Sequence, residues 1–378
     1  MVPANPNPIG IDAHMVGAHE TGNETYVVQL SAALAKLGGH TYNLYTPNPQ
    51  YIPSDLSTHP SINIRSFPIV PAFVRIPFVY PKLARRDHLS LLHMTYMAPP
   101  ILSCPLVLSV HDVSYKLFPQ YFSPRVRFLL SLLVGPSVRR AACVIAISEN
   151  TRRDIIRFYR ADPDRVIVTP LAASPRFKPQ PPEEIARIRR IYNLHTDYIL
   201  AVGNKQPRKN LRRLIRAFAA LALDFPDLTL AIAGQSGWQG SQIEAEVSTL
   251  GLTNRVRFTG YIPEADLPAL YSGATIFCYP SLYEGFGLPP LEAMSCGTPT
   301  ITSNTSSLPE VVANAALTIN PTSIPDLTNA LHTLLQDPAK RHEYAQRGIA
   351  RAAHFSWERT ARLTRDAYDS VLTPTILT

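Results

Sequence analysis

Glu284 and Glu292 stand eight positions apart, with the turn Gly285-Phe286-Gly287-Leu288 directly after the first of them. The turn follows a strand-like run at 275–279 and leads into Pro289-Pro290, a pair tolerated in a first helical turn, so it belongs at a strand's carboxyl end. In an open α/β sheet ligands bind at that edge, and a helix N-terminus presents unpaired N–H groups and a positive partial charge to an anion such as a diphosphate. With no Cβ at Gly285 or Gly287, main-chain amides can approach ligand oxygens directly. Glu284 then offers acceptors to sugar hydroxyls, and Glu292, inside the helix, to a ribose diol. Taken alone, the same residues also fit a plain strand-turn-helix with solvated glutamates.

A second strand end carries cations. Val202-Gly203-Asn204-Lys205-Gln206-Pro207-Arg208-Lys209-Asn210 closes a strand and opens a helix, which aims the backbone amides of Gly203 and Asn204 and the charges of Arg208 and Lys209 at one place. Departure of a phosphate leaving group builds negative charge, which Arg, Lys and helix dipoles can neutralise. An isolated Arg-Lys pair is ordinarily a solubility feature, and its place at a strand end favours phosphate. His111 ends the apolar strand 107–110 and can titrate near neutral pH, although a lone histidine is more often structural. His93 and Tyr96 follow a further strand and either line an acceptor site or pack into the core.

The elements that position these residues alternate. Strands are expected at 9–12, 42–45, 61–64, 91–94, 106–110, 143–147 and 166–168, with helices at 25–37, 123–140 and 148–159. After a proline-rich loop at 170–182 the pattern restarts: strands at 198–202, 228–233, 256–258 and 275–279, helices at 210–224, 241–251 and 263–272. At 378 residues the chain exceeds the size at which one core stops growing. Alternation of this kind implies an α/β fold of two Rossmann-like, doubly wound domains facing across a cleft. The expected domains are 1–175, completed by a last helix at 355–372, and 183–354.

Composition narrows the class. Hydrophobic residues make up 46% and charged residues 17%, which suits a globular protein rather than a disordered one. Cys104, Cys143, Cys278 and Cys296 are scattered without metal-ligand spacing and read as reduced core thiols. The 36 prolines fall mostly in loops, as stiffened connections. The first residues lack a basic segment followed by an apolar stretch, and the longest apolar run is too short for a bilayer, so a cytoplasmic location is expected. A net charge of +8 suits anionic partners, nucleoside diphosphates or an anionic membrane surface, and the dispersed arginines argue against nucleic acid. Residues 67–86 mix aromatic and aliphatic side chains with Arg75, Lys82, Arg85 and Arg86. They either touch a membrane or a lipid-linked acceptor, or pack as loop and helix on the first domain.

The run Glu-Gly-Phe-Gly-Leu-Pro-Pro-Leu-Glu-Ala-Met-Ser-Cys-Gly-Thr-Pro at 284–299, with Ser303-Asn304 and Ser307-Leu308-Pro309-Glu310 beyond it, closely resembles glycosyltransferase family 4. Pro-Arg-Lys-Asn at 207–210 resembles its mannosyltransferase-like branch in surface-polysaccharide synthesis, while Asn204 stands where the family often carries an arginine. The resemblance implies the GT-B architecture and transfer of a hexose, with retention of anomeric configuration, from a nucleoside-diphosphate sugar to a saccharide or lipid-linked hydroxyl. It implies that no metal is required, and GDP-mannose is the first choice of donor. It places His111 near the reacting carbon of the donor sugar. Loop 17–23 resembles the family's N-terminal glycine loop, with Asn23 and Glu24 in place of the usual Ile-Gly, so close backbone approach to donor phosphate and acceptor rests on Gly22. The alternatives are an epimerase or phosphorylase on the same scaffold, whose catalytic acid or cofactor lysine leaves no signature here, and a catalytically silent sugar-nucleotide-binding protein.

Overall fold

The computed structural model of the chain describes residues 7–17, 21–235 and 240–373. Two compact units emerge: Met1–Leu171 together with Ser356–Thr378, and Ala172–Phe355.

The first unit is built on a seven-stranded sheet: β1 (Ile9–Asp12), β2 (Tyr42–Thr46), β3 (Ile62–Ser66), β4 (Leu91–Thr95), β5 (Leu106–Val110), β6 (Cys143–Ala146) and β7 (Val166–Val168). Their spatial order is β3-β2-β1-β4-β5-β6-β7, and neighbouring strands run parallel. Leu-Val-Leu-Ser-Val in β5 is buried at all five positions, as expected of a parallel strand covered on both faces. The helix Thr21–Leu37 follows β1, and the last helix, Trp357–Leu372, belongs to this unit. That helix is fixed by Tyr368, whose hydroxyl meets His93 Nδ1 at 2.6 Å, and by Asp369, which pairs with His40 Nε2 at 2.8 Å.

The second unit has six strands: β8 (Tyr198–Val202), β9 (Thr229–Ala233), β10 (Val256–Gly260), β11 (Ile276–Tyr279), β12 (Thr300–Ser303) and β13 (Leu317–Ile319), in the order β10-β9-β8-β11-β12-β13. Two apolar layers sandwich it. One gathers Leu214, Phe218, Leu230, Ile301 and Leu331, the other Ile188, Tyr198, Leu270, Tyr271 and Phe277. The chain winds outward from β8 to β10 and then crosses to β11, so β8 and β11 flank a topological switch point. β1 and β4 flank the corresponding point in the first sheet. Ligands of doubly wound sheets bind just beyond the strand carboxyl ends at such points.

Some boundaries differ from expectation. The first helix starts at Thr21 rather than 25, which draws Gly22 and Asn23 into its first turn. Helices Pro182–Ile191, Ile324–Gln336 and Pro338–Ala352 stand where no element was expected; the last two are separated only by Asp337, whose side chain caps the second by accepting from Lys340 N at 2.9 Å.

Candidate functional site

The loops leaving β8 and β11 are laced together. Leu282 N donates to Arg208 O at 2.8 Å, and the Ser281 hydroxyl to the same oxygen at 3.0 Å. Asn210 takes the left-handed conformation (φ 61°) between the one-turn helix Pro207–Lys209 and the helix Leu211–Leu221, a backbone that Asn tolerates better than most residues. Its amide donates to Pro280 O at 2.9 Å and Pro321 O at 2.7 Å, locking the cationic turn against the end of β11.

Glu284 sits in the middle of this lacing. Its Oε1 accepts from Lys209 Nζ at 2.7 Å, Ser281 Oγ at 2.6 Å and the Tyr279 hydroxyl at 2.9 Å, while Oε2 faces Arg208 at 2.7 Å. Lys209 Nζ also meets the Tyr279 hydroxyl and lies 4.7 Å from the centre of its ring. Burial alone would raise the carboxyl pKa, but the charges of Arg208 and Lys209, with the Lys209 and Ser281 hydrogen bonds, hold it down at about 2. The carboxylate is thus a permanent anion surrounded by donors. A sugar hydroxyl reaching this carboxylate would share or displace partners already in place.

The glycine turn is held by two adjacent serines. Ser307 Oγ donates to Glu284 O at 2.9 Å and to Phe286 O at 2.6 Å, while Glu284 N donates to Ser306 Oγ at 3.0 Å. Gly287 has φ 122°, a backbone that favours glycine, and a Cβ there would also press on the Leu308 side chain at 2.8 Å. The helix that follows is Leu288–Ser295, with Pro289 and Pro290 inside its first turn. Proline has no N–H, so Pro289 and Pro290 supply no amide to this helix N-terminus. Phe286 turns its ring inward onto Phe355 (centroids 5.8 Å apart), which leaves only its backbone for a ligand.

Glu292 has a different environment. Among the described residues its side chain accepts a hydrogen bond from the Tyr271 hydroxyl, 2.9 Å from Oε2. Burial raises its pKa to about 7, with the Tyr271 hydrogen bond pulling it back and Glu264 adding to the rise. The two glutamates are therefore driven to opposite ends of the carboxylate range.

At the end of β8, Gly203 (φ 146°) donates to Ala233 O at 2.8 Å, and Asn204 is exposed beside it. Gly234, at the end of β9, is pressed against this turn: a Cβ there would come within 2.2 Å of Gly203 O. Lys205 points away to Glu244 (2.8 Å) and over the Phe258 ring (4.1 Å), so it is a structural cation.

In the first unit His111, just beyond β5, is buried. Tyr26 and Tyr96 lie edge-on to its ring at 4.6 and 5.7 Å, and Nδ1 meets Asn23 Oδ1 at 2.6 Å. Burial lowers its pKa to about 4, against a smaller opposing pull from Asp112, so titration near neutrality is overturned. Tyr96 follows β4 with φ 61° and donates its N–H to Ser109 O at 2.8 Å. His93 is a core residue: its ring nitrogens meet Tyr368 OH at 2.6 Å and Ser109 Oγ at 2.7 Å, and burial depresses its pKa to about 3. Gly22 lies in the first helical turn, where a Cβ would meet nothing within 4 Å, so packing among the described residues does not demand glycine. Ala18, His19 and Glu20 of the expected loop lie outside the described residues. Among the described residues no group of three or more His, Cys, Asp or Glu side chains could hold a metal ion.

Sequence reasoning missed Tyr271, Tyr279, Ser281 and Gly234. Tyr279 and Ser281 were visible as polar groups at the end of an apolar strand, next to Glu284. Tyr271 lies 21 residues before Glu292, and nothing in the spacing announces that pairing.

Two parallel doubly wound units with cations gathered at a switch point are those of the GT-B architecture. Residues 184–351 match the family described as glycosyl transferases group 1, and residues 21–177 match glycosyltransferase family 4. The chain is 37% identical over 268 residues to the O-antigen chain mannosyltransferase B of Escherichia coli, covering 69% of each protein. It is 34% identical over 239 residues to the serotype-specific mannosyltransferase WbdA of the same organism, covering 62% of this chain and 29% of that protein. In fold it is similar to sucrose-phosphate synthase from Thermosynechococcus elongatus (TM-score 0.78, 23% identity, 97% of this chain and 99% of that one). It is also similar to Anabaena HepE in complex with UDP-glucose (TM-score 0.78, 21% identity, 96% and 99%). The chain belongs to glycosyltransferase family 4 and is a glycosyltransferase.

Proposed function

We propose that this chain transfers mannose from GDP-mannose to a hydroxyl of a growing saccharide or lipid-linked acceptor, with retention of anomeric configuration. The observation that carries the choice of sugar is the 37% identity to an O-antigen chain mannosyltransferase. The nucleotide-sugar part draws support from the cationic switch-point cluster and from a structural neighbour that holds UDP-glucose. In the proposed reaction the bond from the anomeric carbon to the diphosphate oxygen breaks. The acceptor oxygen bonds to that carbon on the same face, and its proton leaves with the diphosphate. Lys209 and Arg208 neutralise the charge that develops on the departing diphosphate, aided by the amides of Gly285 to Leu288, Gly203 and Asn204. In this scheme no divalent metal is needed, and turnover persists in a chelator. Glu292 holds the ribose, and Glu284 keeps both cations in place while its remaining acceptor capacity faces the sugar. In this proposal His111 is assigned to the donor sugar, and Gly22 and Tyr96 to the acceptor.

Peripheral contact with an anionic membrane is part of the same proposal. Ile69, Phe73 and Phe78 are exposed near Lys82, Arg85 and Arg86, and Phe128 and Leu132 are exposed near Arg125 and Arg127. Among the described residues no helix is long and apolar enough to cross a membrane.

A panel of nucleotide sugars tests the reading by thermal shift and nucleotide release, with Glu292→Ala as control. GDP-mannose alone should shift the wild type and release GDP when an acceptor is present. A shift with a UDP- or dTDP-sugar instead would replace the donor, and no shift with any would refute sugar transfer.

A further inference from the structure

His111 Nε2 is buried and has no hydrogen-bond partner among the described residues, whereas Nδ1 lies 2.6 Å from Asn23 Oδ1. A carboxamide oxygen only accepts, so the bridging proton sits on Nδ1 and Nε2 carries the lone pair. We propose that Asn23 is a positioning residue that fixes this tautomer of His111, so that Nε2 is presented as an acceptor to a substrate hydroxyl. Sugars are the ligands whose hydroxyls such a lone pair recognises, and in this respect the inference rests on the function proposed above.

Three features make the pairing a built one. Asn23 stands in the first turn of the helix Thr21–Leu37, where its short side chain reaches the ring. Tyr26, one helical turn further on, and Tyr96 hold the ring edge-on from two other elements. Glu24, next to Asn23, accepts from Gly17 N at 2.8 Å, tying the incoming loop to the same turn. The two residues that depart from the family's usual pattern thus each have a contact of their own. Because the buried imidazole is neutral at physiological pH, its hydrogen-bonding sense is set by the tautomer rather than by protonation. Left without a fixed partner, the ring would divide between tautomers, and one of them would point an N–H at the incoming hydroxyl oxygen. Among the described residues the charged and titratable groups around it are Tyr26 on the helix, Tyr96 after β4, Asp112 next in the chain and His93 on β4.

The tautomer is read directly by two-bond 1H–15N correlation on full-length protein labelled with 15N-histidine, with His111→Gln assigning the resonance. The free wild type should show a pyridine-like Nε2 and a protonated Nδ1, and Asn23→Ala should lose this single pattern. Addition of GDP-mannose, or of GDP with a mannose oligosaccharide, should move the Nε2 resonance, the two arms telling donor from acceptor hydroxyl. Asn23→Ala should lower kcat/KM about tenfold. Asn23→Asp should move the acid limb of the pH–rate profile to higher pH, because a carboxylate at Nδ1 stabilises the imidazolium. A protonated Nε2 in the free wild type, an unchanged pattern in Asn23→Ala, or an Nε2 resonance indifferent to both ligands would overturn the inference. The free-protein spectra need no turnover, so an inactive wild type would count against the proposed function while the tautomer result stood.

Discussion

Raising the pH from about 6 to about 8 should tighten nucleotide-sugar binding about tenfold, and Glu292→Gln should flatten that dependence. The cause lies in the surroundings of Glu292, where burial lifts the pKa to about 7. Only the ionised carboxylate can accept from both hydroxyls of a ribose, so the apparent dissociation constant is divided by the ionised fraction. With a midpoint near 7 that fraction rises from about a tenth at pH 6 to about nine tenths at pH 8, which gives the tenfold change. A nucleotide sugar is the right probe, because its diphosphate is esterified at both ends, whereas a free terminal phosphate titrates near pH 6 and would add its own slope. Isothermal titration across the range reads the constant, and proton uptake or release in two buffers reads the linked proton. Stability gives an independent check of sign. A carboxyl raised from 4.5 to about 7 in the folded state destabilises it increasingly as pH rises between those values. Glu292→Gln should therefore gain stability over the wild type at alkaline pH, by at most about 3 kcal/mol. Equal pH slopes for wild type and variant, or a flat wild type, would refute the reasoning.

Tyr271→Phe removes the hydroxyl that stabilises ionised Glu292, so the midpoint of donor binding should move to higher pH in the same titration. Glu284→Gln should lower kcat by about a hundredfold, measured as nucleotide release, because the anion that fixes Lys209 and Arg208 is gone. Its folded-state pKa of about 2 lies below 4.5, so the stability it contributes is present above 4.5 and lost as pH falls toward 2. Wild-type melting temperature should accordingly drop more steeply over that acid window than that of Glu284→Gln. Gly234→Ala places a Cβ 2.2 Å from Gly203 O at φ 142°, and should either prevent folding or cost at least about 2 kcal/mol in chemical denaturation, with donor binding lost.

Strands were the most legible part of the chain. β1, β5 and β8 begin and end where the apolar runs do, because a parallel strand covered on both faces needs a nearly continuous apolar segment. Alternation of such runs with helical spacing was enough for two α/β units. Helices Ile324–Gln336 and Pro338–Ala352 were less legible, because a single Asp337-Pro338 step separates them and no strand-like run breaks the pattern. The cations and carboxylates of the switch point were legible by type, since Arg208, Lys209 and Glu284 follow strand ends. Their mutual ion pairing was not, because it bridges about seventy-five residues through the folding of two loops. The protonation of His111 misled for a related reason: a sequence displays an imidazole but not the two tyrosine rings that bury it.

The opposite fates of Glu284 and Glu292 bear on how the proposed retention would be achieved. A double displacement needs a carboxylate free to attack the anomeric carbon, as in retaining hydrolases, where two carboxyl groups stand about 5 Å apart. Glu284 receives Lys209, Ser281 and Tyr279 on one oxygen and faces Arg208 with the other, and a group held at a pKa of about 2 is a weak nucleophile and a weaker base. Glu292 is the more basic of the two, but it lies within the helix after the glycine turn and is bonded to Tyr271, a place suited to the ribose. In the proposed reaction, therefore, neither carboxylate is assigned the acceptor's proton. The proton goes instead to the departing diphosphate, on a front-side path in which Lys209 and Arg208 would keep its charge in check. On this path Glu284 contributes through the cations it holds, so restoring a carboxylate one carbon shorter with Glu284→Asp should recover only the part of the activity that tracks with Lys209 and Arg208 being held in place.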